Sequence, residues 1–519
     1  MSQKQIFLGI ISYIKIYFIV FEQYQKARLQ FIQSISDLAS RPQSINHLLK
    51  YDVISKLCPL LDDSVPTIQQ ITAIVVGKIA SFSQETAETI VKANLIPIMI
   101  RSSGMETRFY KRSVLVALQS IIKHSSELAY AVIRCDALRV INACLEEFDQ
   151  CLKENAALCL SNIARHGEDL SQLIIDSGSL PLLIICLQEP DINLRRAAAC
   201  VLGDIAKHSI SLAQNVVDVS GIWNLVKQTT ETCPKLQKQA FASLAQISKH
   251  TPDFAELILE ASIFPQVLTA LKNKDMTLRK EAANLVKELT KHTFETCQVV
   301  VNSGAIFALV SFLEEAKGSL TIPGIMALGY IAAHSDVQAL NILKAHALVQ
   351  LKNILQEEKD EVKSAAVWAI GLIGRHSANH ANAVSEIGLL PIILSYYLNP
   401  ECSEDLKEKC KRCLKQVLEK CIDMEALQAI LYNSPPNILK YVVAQFSKLL
   451  PRNAKARRAF VVSGSLRKIQ EIDTEPGSAL SLHIAAINNC FPEDVVKFYS
   501  PGYPEMLLER VEAYEQETN

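Results

Sequence analysis

Lys123-His124 returns along the chain as Arg165-His166, Lys207-His208, Lys249-His250, Lys291-His292, Ala333-His334 and Arg375-His376. Each step between these histidines is 42 residues, and seven of the chain's 11 histidines lie on this register. A fixed period between about 20 and 50 residues marks a repeat array, in which one small unit stacks on the next. Counting back from each histidine gives the unit its shape. Three residues back stand Ile121, Ile163, Ile205, Ile247, Leu289, Ile331 and Ile373, and six back Leu118, Leu160, Leu202, Leu244, Val286, Leu328 and Ile370. Ten back come Ala156, Ala198, Ala240, Ala282 and Ala366, with Gly324 in one turn. These spacings place apolar residues on one helical face and predict a long helix running up to each histidine.

A restart follows. Ser125, Ser209, Thr251, Thr293, Ser335 and Ser377 come directly after the histidine and suit helix N-caps. Glu127, Asp169, Asp253 and Glu295 sit in the first turn, where the helix dipole favours an anion. Gly178, Gly304 and Gly388 mark the end of this short helix. A second short helix, entered near Pro97, Pro181, Pro265 and Pro391, completes the unit. Three helices in 42 residues resemble the armadillo repeat, which implies an all-α, right-handed superhelical solenoid. The expected organisation is an N-terminal extension and capping helix over residues 1–40, with nine repeats over 41–418. Shortened and incomplete repeats over 419–491 and an acidic helical tail over 492–519 follow. The ruler slips past residue 420: Pro435-Pro436 leads straight into a long helix, with no second helix before it.

Composition narrows the function. The 53 Lys and Arg nearly balance 54 Asp and Glu, so the chain as a whole has no electrostatic pull toward nucleic acid or anionic membrane. Fourteen cysteines without paired spacings read as reduced, buried thiols of a cytosolic-type compartment. The apolar run over residues 6–21 is broken by Lys15 and is shorter than the roughly 18–20 residues of a spanning helix. It also lacks the small-residue cleavage site of a secretory signal.

No phosphate-binding glycine loop, HExxH or GxSxG motif is present, so no catalytic residue and no cofactor is assigned. The register histidines are too far apart to share a metal, because stacked helices lie about 8–10 Å apart whereas each zinc ligand lies about 2 Å from its ion. Their expected work is at the C-terminus of each long helix, where cations and donors meet the last carbonyls. Cys402, Cys410, Cys413 and Cys421 cluster, but Cys410 and Cys413 fall within the body of one long helix and read as buried thiols. No metal site is assigned.

Peptide-binding adaptors of the armadillo fold carry repeated Trp and Asn along the inner groove. This chain has one of each at those positions, Trp368 and Asn162; elsewhere Ser120, Asp204, Gln246, Glu288, Tyr330 and Leu372 stand for the Asn. The candidate partner-binding residues are instead Lys440, Lys448, Arg452, Lys455, Arg457, Arg458, Arg467 and Lys468, in a stretch with no acid from residue 426 to 470. From Glu471 onward ten acids face Lys497 and Arg510. Two readings stay open: a solvated surface paired with the acidic tail, or docking on an acidic polymer such as a microtubule. The stretch lacks the interleaved aromatics that stack nucleic-acid bases.

Several segments are more specific than the repeat pattern. VFEQYQKAR (residues 20–28), VPTIQQ (65–70), PGIMALGYIAAHS (323–335), PPNILKYVVAQFSKLLP (435–451), KARRAFVVSG (455–464) and FYSPGYPEMLLERVEAY (498–514) resemble the armadillo-repeat proteins of the ciliary central apparatus. The resemblance covers roughly residues 20–515 and implies a non-enzymatic scaffold in the cytoplasm and cytoskeleton, on the axoneme of cilia and flagella. Tubulin of the central-pair microtubules, other central-apparatus proteins and further copies of the chain are the implied partners, with no nucleic acid and no membrane. The alternative is a soluble armadillo adaptor that holds cargo or signalling partners in its groove. About a dozen residues near 8–19 depart from the family, and are expected to be a translated intron or a lineage-specific extension.

Overall fold

A computed structural model describes the backbone of residues 3–103, 107–475 and 477–518, and the side chains of 18–101, 107–475, 477–503 and 505–511. It is an all-α armadillo solenoid, divided into two compact units over residues 1–263 and 264–519.

In the first unit the helix Gln3–Ala39 precedes five three-helix layers. It runs through residues 8–19 as unbroken helix; the side chains of residues 1–17 lie outside the described set. The layer Ser126–Arg134, Ala137–Glu146 and Gln150–Ala164 is representative. Its alanine and register aliphatics do what their spacing demands: Ala156, Leu160 and Ile163 are fully buried. Ser125 accepts a hydrogen bond from the Leu128 amide, the cap its position predicts. Gly167 stands in for the cap residue one layer later.

The turn between the first two helices recurs at residues 52, 94, 136, 178, 220, 262, 304, 346 and 388, all left-handed. Glycine fills three of these positions, with φ of +79° at Gly178. Asp52, Asn94, Asp136, Ser220, Ser262 and His346 hold the same conformation with side chains. The turn bends the chain by 84° between Glu168–Asp176 and Ser179–Cys186.

The histidines lie at the long-helix ends, and the last carbonyls they meet belong to the preceding long helix. His124 Nε2 lies 2.8 Å from the carbonyl of Ala80, 44 residues earlier. The same step joins His166 to Ile122 and His208 to Ala164, both at 2.6 Å, and His250 to Ala206 at 2.7 Å. In the second unit His334 meets Thr290 and His376 meets Ala332, each at 2.7 Å. A carbonyl only accepts, so Nε2 carries the proton and donates. Each histidine therefore satisfies a last-turn carbonyl of the preceding long helix, a group its own helix leaves without a partner. The basic neighbour acts alike on the next carbonyl along: Lys123 Nζ donates to Ser81 O at 3.0 Å, Lys249 Nζ to Lys207 O at 2.7 Å, and Arg375 to Ala333 O at 2.7 Å. Lys78, three residues before the register position held by Ser81, makes the same 42-residue step to Ser36 O at 3.0 Å, so Gln3–Ala39 takes the place of a preceding long helix. Arg28 of that helix also pairs with the buried Asp63.

A second ruler fastens the layers. Lys111–Glu147, Lys153–Glu189, Arg195–Glu231 and Arg279–Glu315 pair at 2.8, 2.6, 2.7 and 2.5 Å. Each cation stands near the start of a long helix, and its acid, 36 residues on, at the end of the next layer's second helix.

The second unit carries three further complete layers and then changes. Met424–Asn433 is followed directly by Pro436–Leu449. Residues 460–472, expected as part of an incomplete repeat, belong to two helices, Ala454–Val462 and Ser465–Gln470, separated by the left-handed Gly464. With Ala479–Asn488 they form a compact three-helix layer, closed by Phe460 between Phe446 and Phe491. The tail forms Glu493–Tyr499 and the 16-residue helix Tyr503–Thr518. Among the described residues no single helix is long and apolar enough to cross a membrane.

Candidate partner-binding surfaces

The eight candidate basic residues spread over four successive elements. Lys440 and Lys448 lie on Pro436–Leu449, and Arg452 on the short 3-10 turn Leu450–Arg452. Lys455, Arg457 and Arg458 lie on Ala454–Val462, and Arg467 and Lys468 on Ser465–Gln470. They are not equivalent. Arg457 is half-buried and donates to Leu450 O at 2.9 Å and Pro451 O at 3.2 Å, closing the end of the preceding helix. Arg467 and Lys468 both face Glu471, at 3.4 and 3.6 Å, so part of the acidic stretch is used internally. Lys440 lies over the Tyr441 ring at 5.1 Å. Lys448, Arg452, Lys455 and Arg458 are exposed, and among the described residues no acid stands within ion-pairing distance of them. Lys455 and Arg458, three apart on one helix, share a face. The electrostatic surface is thus narrower than the charge run.

The long-helix face of the second unit holds a separate feature. Trp368 packs edge-on against Tyr330, with ring centroids 5.2 Å apart. It lies between a cleft of about 260 Å³ reaching Arg412 and Gln416 and another of about 410 Å³ reaching Ile322 and Met326. Gly329 makes this possible: a Cβ there would stand 2.2 Å from the Trp368 ring. On the corresponding face of the first unit, Ser161 Oγ donates to Asp204 at 2.6 Å and Arg165 Nε donates to the same oxygen at 3.0 Å. At the register position of Asn162 the adjacent layers carry Ser120 and Asp204.

The cysteines are packing groups. Cys402, Cys410, Cys413 and Cys421 are all buried, the middle two inside Glu404–Leu418. Burial pushes the Cys410 thiol up to about 12 and raises Cys413 and Cys421 as well. A metal ligand or nucleophile needs the opposite shift, toward thiolate.

The layer-to-layer ion pairs were not anticipated. Their signal is present in the sequence as a base followed 36 residues later by Glu, and needs only the 42-residue alignment to be seen.

Comparison with known proteins places this architecture. A crystal structure of an engineered protein superposes with a TM-score of 0.67 at 20% identity, covering 84% of this chain and 98% of that one, a likeness of fold alone. Mouse sperm-associated antigen 6 is 55% identical over 136 residues, and the human protein of that name 53% over 140 residues. Those alignments span 26–27% of this chain and 27–28% of the relatives, so the chain matches about a quarter of their length. Residues 135–430, more than half of the chain, match the family model described as Proteasome non-ATPase 26S subunit. That stretch is regular repeat array, and the chain belongs to this family as an armadillo-repeat protein similar to sperm-associated antigen 6.

Proposed function

We propose that the chain is a non-enzymatic structural scaffold of the axonemal central apparatus, assembling on central-pair microtubules and needed for ciliary and flagellar motility. The observation that carries the scaffold reading is the layer-to-layer register. Histidines, basic neighbours and ion pairs, the groups from which sites are usually built, are engaged in tying one layer to the next. An array so fastened is suited to presenting surface over many layers rather than to enclosing a reaction. The axonemal setting is supported by the relatives named sperm-associated antigen 6 and by the central-apparatus resemblance of the segments at 20–28, 435–451 and 498–514. Lys448, Arg452, Lys455 and Arg458 are the residues proposed to meet the acidic tubulin surface.

A second reading, a soluble adaptor gripping cargo, draws support from the Trp368 clefts. Deleting the gene in a ciliated cell tests the first reading. Cilia of near-normal length with paralysed or irregular beating are expected; normal beating would refute a role in motility.

A further inference from the structure

The long-helix face of the second unit changes character along its course. On Ile322–His334 and Asp360–Gly374 it is apolar and aromatic, with Met326, Tyr330 and Trp368 lining one cleft and Leu372 entering the next. On the two long helices that follow it turns basic: Arg412 and Lys415 stand exposed on Glu404–Leu418, and Lys440 on Pro436–Leu449. The surface is continuous. Arg412 shares the cleft of about 260 Å³ with Trp368, and Lys415 and Lys440 both lie over the Tyr441 ring, at 5.9 and 5.1 Å.

These cations differ from those of earlier long helices. Arg165 meets Asp204 at 3.0 Å, and Lys287 and Lys291 meet Glu288 at 2.7 and 2.8 Å, so those layers neutralise their own charge. Among the described residues no carboxylate stands within ion-pairing distance of Arg412, Lys415 or Lys440. Asp405 at the cleft rim is held by Lys409 at 2.8 Å, and Glu361 and Glu408 lie in the N-terminal halves of their helices. Gln416 adds a group suited to a peptide backbone. A Cβ at Gly371 would stand 2.8 Å from Gln416 Oε1, and among the described residues the Gln416 amide has no hydrogen-bond partner.

Three exposed charges of one sign beside an apolar cleft fit a ligand that brings the opposite sign together with apolar groups. An extended chain advances about 6.6 Å in two residues and packed helices lie about 8–10 Å apart, so every second or third side chain reaches a new helix. We propose that this groove binds an extended segment of another protein in which one or two large apolar residues adjoin a run of acids. The apolar residues fill the clefts on either side of Trp368, Gln416 holds the segment's backbone, and the acids meet Arg412, Lys415 and Lys440. This rests on the adaptor reading and names its class of cargo; Lys448, Arg452, Lys455 and Arg458, proposed to meet tubulin, take no part.

The test uses the full chain in a Trp223→Phe background, with Trp368 as the reporter, and four synthetic peptides. SLFSEEDEEG and its reversed sequence cover both chain directions, SLFSKKRKKG inverts the charge, and SSSSEEDEEG removes the apolar pair. One direction of the acidic peptide is expected to bind saturably, to shift Trp368 emission to the blue, and to bind at least about tenfold more tightly than either control. Lys415→Glu with Lys440→Glu should weaken it at least about tenfold at unchanged circular dichroism, whereas Lys455→Glu with Arg458→Glu should leave it as it is. Loss of binding in the Lys455 and Arg458 variant alone would overturn the proposal. Tighter binding of the lysine peptide, with the same emission shift, would overturn it and keep the adaptor reading; no saturable binding by any of the four would count against both.

Discussion

At the scale of single residues, the register histidine is a donor held for a neighbour's carbonyl. Burial lowers the pKa of His376, with Arg375 and His380 acting in the same direction, while the bond to Ala332 O and Asp336 oppose them. The folded layer therefore prefers the neutral ring more than the unfolded chain does. Its contribution is complete above the usual histidine value of 6.5 and is lost progressively as pH falls through that value toward the lower folded pKa. The protection factors of the last-turn amides of Ile322–His334, corrected for the slower intrinsic exchange at low pH, should fall between pH 7.5 and 5.5, and His376→Gln, which keeps a donor without titrating, should flatten that dependence. A second residue-scale outcome concerns Gly329. Gly329→Ala must displace the Trp368 ring, at an overpacking cost of about 1–3 kcal/mol. In a Trp223→Phe background, which leaves Trp368 as the sole tryptophan, its emission should shift to the red while helicity holds.

At the scale of elements, much was readable because spacing and capping speak directly to helices. The long helices, their buried Ala and Ile positions and the Ser and Thr caps lie where the 42-residue alignment puts them. Partners across layers were not readable from position alone. The histidines lie at helix ends, as read, but a one-dimensional pattern does not say whether a donor serves its own helix or the one beneath. The left-handed turns were visible only at Gly178, Gly304 and Gly388, because Asp136, Ser220 and His346 adopt that conformation at a cost of about 1–2 kcal/mol that packing offsets. The candidate basic surface was legible as charge and not as exposure, since Arg457 is spent on the carbonyls of Leu450 and Pro451. That distinction sets the variants. Lys455→Glu with Arg458→Glu should reduce co-sedimentation with microtubules at low salt, without loss of helicity, whereas Arg457→Glu should also destabilise Ala454–Val462. Sedimentation by the double variant equal to the parent chain at low and moderate salt would argue against electrostatic docking.

At the scale of the whole molecule, a repeat array derives stability from each layer's bonds to its neighbours, so individuality concentrates where the repeat breaks. Here it breaks past Cys421: a layer of two helices in place of three, an exposed basic face on Ala454–Val462, and an acidic tail partly engaged through Glu471. The regular layers between explain why the chain is an armadillo protein, and the C-terminal departures are where a scaffold would find its particular partners. The central claim is residence in the axoneme, and it is tested by expressing the tagged full chain in ciliated cells and extracting them with detergent. Signal retained along the axoneme after extraction is the predicted result; a diffuse or nuclear pool that washes out with the soluble proteins would contradict it and favour the adaptor.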